Sequence, residues 1–258
     1  MRLLSCVVCC ALLAASAPAD EPKQEWATVK GRVVFPEGKD VPKRAKLDVT
    51  QDKEHCLKDG AILDESVIVN PKNRGIKNVV VYLRPLDTKT TAFDKGQIHP
   101  DDAKRKPAEV VITQPCCLFV NRVTLARVGD TLVVKNPAPV AHNFYWSSQE
   151  NGECNTTIPA GGKHAFDKPL VAEAGAIPFK CTIHPWMSGQ VRVFDHPYYA
   201  LTDENGNFEI KNAPAGMFRI VYWHEQVGIK TRGGEVINIQ GPTLEMKPTD
   251  FDVTPKKN

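Results

Sequence analysis

Cys181, His184 and Met187 stand at three-residue intervals in Cys181-Thr182-Ile183-His184-Pro185-Trp186-Met187. This C-x2-H-x2-M run offers a thiolate, an imidazole and a thioether in one short stretch. Soft sulfur donors joined to imidazole favour copper, and two imidazoles, one thiolate and a weak axial thioether make the trigonal copper site suited to electron transfer. A second imidazole lies upstream. Gly129-Asp130-Thr131-Leu132-Val133-Val134-Lys135-Asn136 reads as a turn and a strand, and after Pro137-Ala138-Pro139-Val140-Ala141 comes His142-Asn143. The candidate metal ligands are therefore His142, Cys181, His184 and Met187, a donor set suited to one copper ion. Blander readings exist for each: Cys181 as half of a disulfide, His184 as a surface histidine, Met187 as a gap-filler in a core. Structural zinc usually takes four Cys or His ligands and has little use for methionine.

The elements that must position these residues read as strands. Thr28–Phe35, Val79–Leu83, Val110–Thr113, Val123–Val128, Thr131–Lys135, Val191–Phe194 and Phe218–Trp223 are short, β-branched or aromatic, and separated by Gly, Pro, Asn and Asp. That is the pattern of an all-β chain. Asn205-Gly206, between Leu201-Thr202 and Phe208-Glu209-Ile210, predicts a hairpin with a type I′ turn, because both residues accept positive φ. The polar stretch between Pro85 and Pro107 predicts at most a short helix, near Pro100 to Lys106.

The "VGDTLVVKN" strand, the His142-Asn143 pair some forty residues before Cys181, and the C-x2-H-x2-M loop together resemble the cupredoxins. The short loop with Pro185 directly after His184 is most similar to that of the amicyanins. The likeness covers roughly Ala108 to Phe194. It implies a Greek-key β-sandwich with one type 1 (blue) copper, and a role for Asn143 in tying the two ligand-bearing loops together. It also implies transient docking of redox partners over an exposed edge of His184, ringed by Pro139, Pro185 and Trp186. The flanks resemble a second module cut in two. Val29-Lys30-Gly31-Arg32-Val33-Val34 and Asn78–Leu83 resemble the opening strands of a carboxypeptidase regulatory-like (transthyretin-type) sandwich. Thr202–Ile210 and Ala213-Pro214-Ala215-Gly216 resemble its closing hairpin. The expected organisation is a leader at 1–19, the first part of the split sandwich with a linker at 20–107, the copper domain at 108–195, and the second part with a tail at 196–258. Gly38 to Lys77 has no counterpart in the compact module.

Arg2, the apolar Leu3–Ala15 and the small-x-small step Ala17-Pro18-Ala19 read as a cleaved export leader, with the mature chain starting at Asp20. The expected location is periplasmic or secreted, without membrane insertion. Cys6, Cys9 and Cys10 leave with the leader, and Cys56, Cys116, Cys117, Cys154 and Cys181 remain. A metal-bound thiolate explains the odd count. The expected bridges are Cys56–Cys117 and Cys116–Cys154.

A net charge of +3 over 258 residues makes no basic footprint for nucleic acid. The other histidines (His55, His99, His164, His196 and His224) form none of the closely spaced pairs that a second copper centre for oxidase or reductase chemistry would need. No nucleophile elbow, phosphate loop or H-E-x-x-H occurs. The expected function is a monomeric carrier of single electrons between a donor and an acceptor redox protein, not an enzyme. Two rival classes are copper storage or delivery, disfavoured by only three methionines after the leader (Met187, Met217 and Met246), and a carbohydrate-binding or adhesion module.

Overall fold

The computed structural model describes residues 24–254, so the expected leader and its cleavage site lie outside it. Two strands come first, β1 (Trp26–Val34) and β2 (Val80–Pro85). They are separated by a long excursion that holds one helical turn, α1 (Lys53–Cys56). The second short helix, α2 (Pro100–Ala103), falls where the polar stretch predicts it, with proline in its first turn. Eight strands fill the middle: β3 (Glu109–Thr113), β4 (Val123–Arg127), β5 (Thr131–Lys135), β6 (His142–Ser148), β7 (Gly152–Ile158), β8 (Lys163–Ala165), β9 (Ile177–Lys180) and β10 (Ser188–Phe194). Seven close the chain: β11 (Tyr199–Leu201), β12 (Asn207–Pro214), β13 (Gly216–His224), β14 (Gly228–Ile229), β15 (Glu235–Ile239), β16 (Thr243–Glu245) and β17 (Thr249–Asp250). The chain is all-β.

The strands of the two flanks pair with each other across the middle of the sequence. β1 lies between antiparallel β12 and parallel β16, with β17 also on β1. β2 lies between β11 and β13, and β13 also carries β14 and β15. Alternate residues point inward, and Val29, Val33, Val81, Leu83, Phe208 and Ile220 bury together in one core. The middle strands form a five-stranded sheet, β4-β10-β9-β6-β7, and a three-stranded one, β3-β5-β8. These share a second core that includes Ile112, Leu132, Phe144, Trp146, Phe179 and Val191.

The two cores meet through Val80, Tyr82, Val123, Phe194 and Val221. The Arg192 guanidinium lies 5.0 Å from the Tyr82 ring centre, and Arg122 pairs with Glu225 at 2.6 Å, both nearly buried. Asp130 of the Gly129-Asp130 turn is also buried. It takes both ends of the Arg105 fork (2.8 and 2.9 Å) and the N–H groups of Ala108 and Arg127. That explains an aspartate at the head of β5: it pins the turn that starts the strand.

Three features depart from the sequence reading. The Asn205-Gly206 turn is present, but it joins strands of different sheets, since β11 pairs with β2 and β12 with β1. Only Gly206 takes a positive φ, 79°, while the Asp203 carboxylate accepts the N–H groups of Asn205 and Asn207 at 2.8 Å each. A type I′ turn needs positive φ at both central residues. The expected Cys116–Cys154 bridge is absent, and both thiols are free. Cys56–Cys117 does form. Cys117 points into the second core, so its neighbour Cys116 turns towards the charges of Lys58, Asp59 and Glu65. Cys154 sits on β7, 3.8 Å from the His164 ring. The third departure is the excursion after β1. Its Val49, Cys56 and Ile62 bury in the second core and its Val69 in the first, so this segment reaches across and returns.

Candidate metal centre

The register of three strands assembles the site. β6 runs antiparallel to β9, with Tyr145 opposite Lys180 and Trp146 opposite Phe179, so the start of β6 and the end of β9 lie at one edge. β9 and β10 form a hairpin whose first pair is Lys180 and Ser188, and residues 181–187 are the loop between them. Cys181 and Met187 therefore occupy its two roots, and His142 opens the neighbouring strand. The Cys181 N–H donates to the Met187 carbonyl at 3.1 Å, and the Met187 N–H donates to the His184 carbonyl at 2.9 Å. The loop is thus shaped by its own backbone.

All four candidate ligands are fully buried. The ligand atoms of His142, Cys181 and His184 lie within 4.8 Å of one another. His142 Nδ1 and His184 Nδ1 are 2.9 Å apart, and His184 Nδ1 is 3.8 Å from Cys181 Sγ. Two imidazole lone pairs cannot face each other at that separation without a proton or a cation between them. Met187 packs in the same core as Cys181. A soft thiolate and two imidazoles converging in a dry pocket, with a thioether at the loop's other root, fit the donor preferences of copper.

The thiol is prepared for ligation. Burial pushes Cys181 up, but contacts with the His142 and His184 rings and the backbone N–H groups of Asn143 (3.2 Å) and His184 (3.3 Å) outweigh it and bring the group down to about 6. Pro185 offers no N–H, so the sulfur's two backbone donors come from Asn143 and His184. Asn143 braces both sides of the site. Its Oδ1 accepts the Thr182 N–H at 3.2 Å, and its Nδ2 donates to Asn155 Oδ1 (3.0 Å) and to the Thr156 carbonyl (2.9 Å).

The surroundings of His184 differ from expectation. The ring has no exposed edge: His184 is 0% accessible, so the expected docking patch over that edge is not open. The excursion covers it. His184 Nε2 lies 2.8 Å from Asp52 Oδ2, directly before α1. Burial lowers the affinity of His184 for a proton, but bonds to Cys181 and Asp52 raise it, and the net direction is up. The sulfurs of Cys56 and Cys117 also lie within 4.8 Å of a His184 ring nitrogen; being bridged, they clamp the cover and offer no thiolate. Trp186 is part of the clamp as well, its indole N–H donating to the Cys117 carbonyl at 3.1 Å. Asp52 carries no mark in the sequence: it stands 132 positions from His184 in a polar stretch, and only the Cys56–Cys117 pairing hinted that this region approaches the site.

Among the remaining aromatic residues, Phe144 and Trp146 are strand core. His224 ends β13 and is buried against Phe251.

No family model and no curated protein matches this chain. Among solved structures, it is similar to the oxidised form of a proline-to-glycine variant of amicyanin, at 21% identity over 33% of this chain and 82% of that one, with a TM-score of 0.30. It is also similar to the Cu(I) form of a methionine-to-alanine variant of amicyanin, at 19% identity over 44% of this chain and 98% of that one (TM-score 0.29). A purple cupredoxin from Nitrosopumilus maritimus is 21% identical over 34% of this chain and 99% of its own (TM-score 0.27). Each likeness spans at most 44% of the present chain.

Proposed function

We propose that this chain is an exported mononuclear type 1 copper protein that carries single electrons between a donor and an acceptor protein. The observation behind the reading is the buried convergence of His142, Cys181 and His184, with Met187 at the second root of the same loop. Copper bound there would supply a one-electron couple. Cys181 would provide a thiolate, His142 and His184 imidazoles, and Met187 a thioether. The protein's own part is to hold these donors in place before metal arrives, through the loop's backbone bonds and the Asn143 brace. A site whose shape depends little on the metal costs little to reorganise when charge changes.

In this reading the protein acts as a monomer in the periplasm or outside the cell, and it transfers electrons without transforming a substrate. The middle strands form the copper domain, nested in the sandwich built by the flanks. Copper storage is the second reading. The covered edge of His184 favours it, because a shuttle needs an electronic route to the surface.

Cu(II) added to the purified protein should give an intense visible thiolate-to-copper charge-transfer band, as expected of a blue-copper ligand set, and Cys181→Ser should abolish it. Metal uptake without that band would refute the type 1 assignment. A blue protein that fails to take up and release electrons reversibly would point to storage.

A further inference from the structure

We propose that Asp52 is a positioning residue for His184 and that the segment from Asp52 to Cys56 is a built-in cover tuning the metal centre, a proposal that rests on the copper reading above. A carboxylate accepts hydrogen bonds and does not donate them, so at 2.8 Å the His184 Nε2 carries the hydrogen. That fixes the tautomer and leaves Nδ1, which faces His142 and Cys181, as the ligand atom. A carboxylate on the far nitrogen of a metal-bound histidine orients the ring and strengthens it as a donor, and losing such a partner typically costs 10- to 100-fold in metal affinity.

The local backbone is set up for this contact. Asp52 adopts a left-handed conformation (φ 44°, ψ 39°), a region a few residue types, aspartate and asparagine among them, enter readily. Its side chain gives no capping bond to α1, although it stands at the N-cap. It is spent on His184 instead. Four residues on, Cys56 is buried and bridged to Cys117, whose carbonyl takes the Trp186 indole N–H. The cover is thus held at both ends, by a bridge across 61 residues at one and by the Asp52–His184 bond at the other.

Two consequences follow. The Asp52 negative charge and the stronger donation from His184 favour Cu(II) over Cu(I), so the cover holds the reduction potential down. The cover also stands between the His184 ring and solvent and carries exposed Lys53, Glu54 and Lys58, and no ligand ring reaches solvent.

The test compares the full-length wild type with Asp52→Asn, which tolerates the left-handed backbone and removes the charge, and with Asp52→Ala, which removes the bond as well. In the copper-loaded proteins the expected result is an intact blue band with a raised potential. The ratio of Cu(II) to Cu(I) affinity should fall about tenfold, or about 59 mV for one electron, and further in Asp52→Ala. In the metal-free proteins, nitrogen-15 spectra should show a solvent-protected His184 Nε2–H in wild type and its loss of protection in Asp52→Ala. An unchanged potential in both variants, or a His184 Nε2–H that exchanges equally in wild type and Asp52→Ala, would overturn the proposal. If the wild type takes up no copper, the copper reading fails, while the metal-free spectra still decide whether Asp52 orients His184.

Discussion

His196 makes the stability of this protein depend on pH in a way that can be computed in advance. The ring is 4% exposed, lies 4.8 Å from Phe93 and 5.4 Å from Phe194 between ring centres, and accepts the Tyr198 N–H on Nδ1 at 3.1 Å. Protonation would place an unsolvated charge among these rings and break that bond. Burial first, then repulsion from Arg127 and Arg192, brings the group down from 6.5 to about 3. Between those values the unfolded chain binds a proton that the native protein refuses. Stability from this residue is therefore complete above 6.5 and is lost as pH falls towards 3, at about 1.4 kcal/mol per pH unit. From pH 6.5 to about 5 the loss is roughly 2 kcal/mol. His224, brought down to about 4 by burial and then by Arg122, adds a similar slope in the same window. The perturbation is His196→Phe, which keeps an aromatic ring in an aromatic cage. Urea unfolding of both proteins at several pH values, in the same metal state, should show the variant with a slope lower by about 1.4 kcal/mol per unit. Equal slopes would mean that His196 titrates normally in the native state and would refute the reasoning.

Other outcomes follow from particular contacts. Glu225→Ala should destabilise the protein by about 3–5 kcal/mol, because Arg122 is then largely buried without a counter-charge, with only Ser188 accepting from it; the apolar double variant Arg122→Met/Glu225→Leu should recover most of this in the same urea assay. Gly189→Ala should cost at least about 2 kcal/mol, since its Cβ would strike the Phe179 ring and lie 2.5 Å from the Arg122 carbonyl oxygen, lowering the melting temperature measured by circular dichroism. Thiol labelling of the copper-loaded protein after unfolding should find Cys116 and Cys154 reactive without reductant and Cys56 and Cys117 bridged, by peptide mass. Reducing that bridge, which closes a 61-residue separation, should cost roughly 4 kcal/mol on a chain-entropy basis.

Much of this protein is set by local chemistry that a linear sequence displays. Cys181, His184 and Met187 share one loop, so their proximity follows from chain connectivity, and β-branched alternation marks the strands around them. His142 could be proposed because it follows the Gly129–Asn136 turn and strand some forty residues before Cys181, but only the pairing of β6 with β9 brings it to the same edge. The role of Asn143 was legible only through the family resemblance, which implies a brace beside the candidate ligand His142. What the sequence left undecided depends on contacts between distant segments. Asn205-Gly206 carries a turn signal in either context, and the partner of β12 is chosen by burial of Phe208 and Ile210 in the first core. The expected Cys56–Cys117 bridge forms, with Cys117 pointing into the second core, whereas the expected Cys116–Cys154 bridge fails because Cys116 then turns away from Cys154. The cover over His184 is the clearest case. Nothing in Gln51-Asp52-Lys53 marks a partner for a histidine 132 positions away; that contact exists because the excursion packs Val49, Cys56 and Ile62 into the metal-site core, and only the folded chain brings them there.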